Sequence, residues 1–161
     1  MNKTKKGQAP RTRDYLAELH VAGLFGDAGW QVFFPKRDEG FDFIAVKRTP
    51  TGSVVRPVQV KGLYPTAGKK DRVVYPWKGK LSQTHADLVV AFVYFHADLG
   101  SDVPACIAYV PFGDLRQPTR GGYAFTGASL RQGRVSPRRD YRHYFGREGL
   151  QLLAAGDHQH A

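Results

Sequence analysis

Hydrophobic and polar positions change their period several times along the chain, and each change marks an element. Between residues 14 and 28 the apolar positions Leu16, Leu19, Leu24 and Ala28, with Gly23, fall near one side of a helical wheel. That spacing predicts an amphipathic helix, with Asp14 as its cap and Gly29 as its left-handed stop. Gly23 and Gly26 each weaken such a helix by up to about 1 kcal/mol relative to Ala, so a close approach of the helix to a sheet is the expected compensation. Trp30 to Pro35 reads as a short apolar strand ended by proline. Residues 40–62 then read as two strands joined by the polar turn T-P-T-G-S, with Pro57 expected near the start of the second strand or at a bulge, since it lacks a donor. Residues 73–75 suggest a further short strand and residues 81–86 a helical turn. The run L-V-V-A-F-V-Y-F, residues 88–95, is continuously apolar, the signature of a strand covered on both faces at the centre of a mixed sheet. A strand at 105–110 and a short helix or turn at 111–115 follow. These elements give an α/β fold: a central mixed β-sheet of about four to five strands flanked by helices.

The hairpin carries polar groups that a buried surface does not need. Side chains alternate faces along a strand, so Gln59 and Lys61 share one face, Val58 and Val60 take the other, and Asp42 shares a face with Ile44 and Val46. Unpaired polar groups on a buried face cost free energy, which implies a use for the acid, the amide and the lysine. A helix-borne Glu18 in D-Y-L-A-E-L-H-V-A lies upstream, at the edge of the apolar stripe. Glu18, then G-F-D ending at Asp42, then Q-V-K from Gln59 to Lys61, resembles the PD-(D/E)XK nuclease superfamily in its Gln-x-Lys variant. That variant is similar to some methyl-directed restriction enzymes and small intron-encoded homing endonucleases. The resemblance extends over roughly residues 13–115, where H-A-D-L-V-V-A-F and C-I-A-Y-V-P-F-G-D-L loosely match the later strands.

The resemblance implies a restriction-endonuclease-like sheet and a Mg²⁺ or Mn²⁺ cofactor. Asp42 would be the anchor ligand, Gln59 a neutral carbonyl ligand, the Val60 carbonyl a backbone ligand, and Glu18 a ligand bound directly or through water. Lys61 would lie close to the attacking water and the phosphate. The chain departs from the pattern at Phe41, where many members have proline, and at Gln59, where others have an acid. The loss of one negative charge lowers the expected metal affinity. A plain cross-strand ion pair between Asp42 and Lys61 is the structural alternative.

Charge narrows the partner. A formal net charge of +10 over 161 residues favours polyanions, nucleic acid first and an acidic membrane surface second, against the plainer reading of a solvated basic surface. Three segments are expected: a flexible basic arm (1–13), a nuclease-like domain (14–116), and a Gly/Arg-rich extension and tail (117–161). Lys69, Lys70, Arg72, Lys78 and Lys80, interleaved with Tyr75 and Trp77, suit phosphates and stacked bases, although the rings could equally be core lids. Arg138, Arg139 and Arg142 make the extension a second candidate nucleic-acid surface, with a solvated, loosely packed segment as the alternative.

The lone Cys106 excludes an intrachain disulfide and a cysteine-based zinc cage, and fits a cytoplasmic setting. The longest apolar run, eight residues, is far short of the roughly 20 a membrane span needs, and the N-terminal M-N-K-T-K-K-G-Q lacks the apolar stretch of a secretory signal. No P-loop, GxGxxG or G-x-S-x-G is present. The expected activity is that of a metal-dependent DNA endonuclease, and cutting both strands would favour a homodimer or sequential nicking. A non-catalytic DNA- or RNA-binding module on the same fold and an RNA-directed nuclease are the alternatives.

Overall fold

The computed structural model describes residues 12–37, 39–65, 70–97 and 103–155; residues 1–11 of the expected basic arm, residues 156–161 of the tail and Lys69 lie outside the described residues, while residues 12 and 13 of the expected arm belong to the first helix. Helix α1, Thr12–Asp27, is followed by Gly29 at φ 85°, a conformation that glycine adopts without a Cβ clash. Asp14 therefore sits inside the first turn rather than at the cap. The buried stripe of α1 is Ala17, Val21, Ala22 and Phe25, while Leu16 and Leu19 are each 42% exposed. Nothing lies within 4 Å of where a Cβ on Gly23 or Gly26 would stand, so the expected close approach is absent there.

Five strands form the central mixed sheet, in the order β1 (Gln31–Phe33), β2 (Phe43–Thr49), β3 (Gly52–Leu63), β5 (Val89–Tyr94), β6 (Cys106–Pro111). β1, β2 and β3 are an antiparallel meander, β5 is parallel to β3, and β6 is antiparallel to β5. Every residue of β5 is buried, as its unbroken apolar run requires. Pro57 sits well inside β3 rather than at its start. It pairs with Ile44 of β2, and β5 begins one residue further on, opposite Val58. The donor that proline lacks would face the side where β5 has not yet begun, so no ladder bond is lost.

One face of the sheet packs against helices. Phe43, Ala45, Val58, Val89, Ala91 and Val93 meet Val21 and Phe25 of α1, and Leu150 and Leu153 near helix α2, Gly146–Leu152. The other face is covered by a second β layer. This layer contains a three-stranded sheet in the order β4 (Trp77–Gly79), β8 (Gly122–Phe125), β7 (Arg116–Thr119), and the hairpin β9 (Ala128–Arg131)–β10 (Arg134–Pro137). Phe125, Ala128, Leu130 and Val135 from this layer meet Leu63, Val90, Phe92, Tyr94 and Ala108. The C-terminal extension is thus folded onto the sheet and contributes to both cores.

Two local expectations are corrected. Residues 81–86 form bends and turns instead of a helical turn, and the extra short strand is Trp77–Gly79, not 73–75. Tyr75 is nonetheless tied into the layer: its N–H donates to the Ala128 carbonyl at 2.8 Å. Residues 112–114 do form a single 3-10 turn.

Candidate active site

The candidate residues meet where β2 and β3 part. Val58 and Phe43 are the last register pair between the two strands, yet β3 continues five residues further, to Leu63. Backbone groups at alternate positions of β3 point toward β2, so beyond Val58 the N–H of Val60 has no β2 carbonyl opposite it. The side chain of Asp42 takes that place: Asp42 Oδ2 accepts a hydrogen bond from Val60 N at 2.6 Å, while Asp42 N donates to the Val58 carbonyl at 2.8 Å. Asp42 lies just before β2, and its carboxylate extends the ladder at the strand edge. It does not simply share the face of Ile44 and Val46, as strict alternation would have it.

This bond fixes Asp42 beside Gln59, Val60 and Lys61. Gln59 and Lys61 pair with Val90 and Phe92 of β5, and project with them to the face covered by the second layer. Gln59 is 8% exposed, and its carbonyl Oε1 is buried without a hydrogen-bond partner among the described residues. A buried amide oxygen left unpaired costs about 1–3 kcal/mol, a cost that a ligand with positive or donor character would relieve. Lys61 is half-buried. Glu18 is half-buried too, at the border of the stripe by which α1 packs on the opposite face of the sheet. The strand register thus brings the Asp42 carboxylate to Val60, between Gln59 and Lys61 in the chain, and Glu18 belongs to the helix on the other side.

Two neighbours, Gly40 and Trp77, complete the surroundings. Gly40, at φ 83°, lets the turn before Asp42 pass against the loop after β4: a Cβ there would stand 2.2 Å from Gln83 Cγ and 3.1 Å from Ser82 Oγ. Trp77 lies 5.1 Å from Phe92, the β5 partner of Lys61. The site is thus bordered by β4 and the loop that follows it, which also carry the exposed Lys78 and Lys80. A cavity of about 600 Å³, lined by Trp30, Lys47, Tyr109 and Leu150 among others, contains none of the candidate residues.

The basic residues divide into two kinds. Lys70, Arg72, Lys78, Lys80, Arg139 and Arg142 are exposed. Lys78 and Arg116 both pair with Ala124 across the three-stranded sheet, so the two cations flank Ala124 on its outer face; Arg116 was not singled out in the sequence. Arg138, by contrast, is anchored: Nη1 donates to the Thr126 carbonyl at 2.7 Å and the guanidinium stands 5.2 Å from the Tyr141 ring. The rings of the basic loop and the extension face inward. Tyr75 is buried, Trp77 packs on Phe92, and Tyr141 and Tyr144 contact Phe125 edge-on.

Among the described residues no group of three or more His, Cys, Asp or Glu side chains is placed to hold a metal ion. The oxygens at this site are of another composition: the Asp42 carboxylate, the Gln59 amide and the strand backbone. Burial pushes the thiol of the half-buried Cys106 up to about 12, which keeps it protonated near neutral pH. No helix among the described residues is long and apolar enough to cross a membrane. Comparison of the chain with protein-family models and with curated proteins finds no match.

Proposed function

We propose that this chain is a metal-dependent endonuclease that hydrolyses phosphodiester bonds of DNA. The observation that carries the reading is the Val60 N–H to Asp42 Oδ2 bond, which sets a carboxylate beside a Gln-x-Lys strand whose Gln oxygen is buried and unpaired. Hard dications such as Mg²⁺ and Mn²⁺ take oxygen ligands, and the residues at the strand edge fit one: Asp42 and Gln59 by side chain and Val60 by its carbonyl; Glu18, on the helix of the other face, is not counted in this set. Such an ion, when bound, polarises the scissile phosphate and makes a coordinated water nucleophilic near neutral pH.

The chain's own groups account for the remaining demands. Val60 N–H holds one carboxylate oxygen of Asp42 in a fixed orientation. Lys61, two residues from Gln59 on the same face, is suited to orient the water and neutralise charge on the phosphate. Lys70, Arg72, Lys78 and Lys80, with Arg139 and Arg142, offer exposed cations for backbone phosphates away from the scissile bond. One chain carries one such site, so cleavage of both strands calls for a second copy or for successive nicks.

The test is incubation of supercoiled plasmid with wild type and with Lys61→Ala, each in Mg²⁺, Mn²⁺ and EDTA. The expected result is metal-dependent nicking or linearisation by wild type, absent in EDTA and reduced at least 100-fold in the variant. Plasmid binding without cleavage by wild type in either metal would instead favour a binding module that uses the same surface.

A further inference from the structure

Phe33 ends the edge strand β1 and Phe34 follows it, with rings 53% and 56% exposed. Scattered exposed apolar side chains need no explanation, but Phe33 is placed beside the candidate site, whereas Phe34 turns to Phe43 on the other face. β1 runs antiparallel to β2, and Phe33 pairs with Ile44, two residues from Asp42. Ile44 in turn pairs with Pro57, two residues from Gln59. Phe33, Ile44 and Pro57 therefore line one row of the sheet, on the same face as Gln59 and Lys61. The second β layer covers that face over β3, β5 and β6, but its buried cluster includes no residue of β1 or β2. The molecule steps from two β layers to one at this point. Asp42 lies at the step, with the Phe33 row on its open side and the loop carrying Lys80 and Ser82 on the other.

We infer that Phe33 is a stacking platform for an unpaired base of the strand held at Asp42 and Lys61, so that the substrate is nucleic acid that is single-stranded or frayed at the point of cleavage. This rests on the nuclease reading above. An aromatic ring beside a phosphate-binding site can stack only on a base that has left the helix, because bases within a duplex already cover each other's faces. The turn after Phe34 is not itself the attraction, since Lys36 and Arg37 are followed by Asp38 and Glu39. The phosphate attraction comes from Lys61, Lys80 and the net charge of +10. The same net charge opposes a second copy of the chain as the occupant of this face.

The deciding experiment measures fluorescence anisotropy of a labelled oligo(dT) and of a duplex of equal length, both in EDTA so that binding is read without cleavage. The proteins are full-length wild type, Phe33→Leu and Phe33→Trp, with folding checked by circular dichroism. Stacking predicts that Phe33→Leu weakens single-strand binding about 5-fold or more and leaves duplex binding unchanged. It also predicts that Phe33→Trp keeps wild-type affinity and that its added tryptophan emission is quenched by the oligonucleotide. Equal affinity of wild type and Phe33→Leu for oligo(dT), a parallel loss on both substrates, or no binding of oligo(dT) by wild type would each overturn the inference. So would a wild-type dimer in sedimentation that Phe33→Leu converts to monomer. If the plasmid assay fails while the Trp, Phe, Leu order holds, the nuclease reading falls and the platform stands; the reverse pattern separates them the other way.

Discussion

At the scale of single residues, Val60 shows why Asp42 matters to the fold as well as to chemistry. Its N–H points to the side where β2 has already ended, and the Asp42 carboxylate at 2.6 Å supplies the missing acceptor. Removing that acceptor leaves a part-buried donor unsatisfied, which costs about 1–3 kcal/mol. Asparagine keeps a carbonyl oxygen at the same position but loses the charge. Asp42→Ala is therefore expected to lower unfolding stability by about 1–3 kcal/mol in EDTA, and Asp42→Asn by less than about 1 kcal/mol. Both should abolish metal-dependent cleavage. Urea denaturation beside the plasmid assay separates the two roles: an Asp42→Asn protein that is stable but still cuts at the wild-type rate would remove Asp42 from the chemistry.

At the scale of elements, the extension illustrates what basic composition conceals. Its strands β7 to β10 are four residues each, too short for a period-two pattern to stand out among Gly and Arg. Tertiary packing decides instead, and Phe125, Leu130 and Val135 reach the core while the arginines between them stay outside. Arg138 is the exception, since it closes the connection after β10 through Thr126 and Tyr141. Arg138→Ala is expected to destabilise the protein by about 1.5–3 kcal/mol through the lost charged hydrogen bond. Arg142→Ala, at an exposed position, should stay within about 0.5 kcal/mol of wild type. Arg142→Ala should instead lower the slope of log affinity against log salt for nucleic acid by about one if it meets a phosphate. Thermal unfolding and a salt titration together check the assignment.

The central strands, by contrast, were legible. The unbroken run at 88–95 reads as a doubly covered strand, as β5 is, and the turn at Pro50–Thr51 sets the β2–β3 pairing. The α1 stripe was misread by one position because Ala17 and Ala22 are weak signals beside Leu16 and Leu19, yet small residues fit best where a helix lies on a sheet. The in-plane position of Asp42 was beyond a period-two argument, since it depends on β2 ending before β3.

At the scale of the whole molecule, packing apolar material on both faces of one sheet leaves several ionisable groups inside it. Tyr94 is fully buried on the β-layer face, and its hydroxyl has no hydrogen-bond partner among the described residues. Its pKa is raised well above the tyrosine value, first by burial and then by the neighbouring Cys106 and Tyr75. On the helical face burial pushes Tyr109 up to about 12, and it does the same to Cys106 at the edge of the sheet. All three are neutral when protonated, so the folded state holds these protons at pH values where the unfolded chain has begun to release them, from the ordinary cysteine value of 9.0 and tyrosine value of 10.0 upward. Stability from these groups is full below about pH 9 and falls as pH rises through about 12, because the unfolded state then binds fewer protons. The urea midpoint should therefore be level from pH 7 to about 9 and decline steeply above pH 10. Tyr94→Phe sharpens the test, since it removes an ionisable hydroxyl that makes no bond with the described residues. It should leave stability at pH 7 unchanged or slightly higher and make the alkaline decline shallower. A Tyr94→Phe midpoint that tracks wild type at every pH would show that the buried hydroxyl does not govern the alkaline limit, and would shift that role to Tyr109 and Cys106.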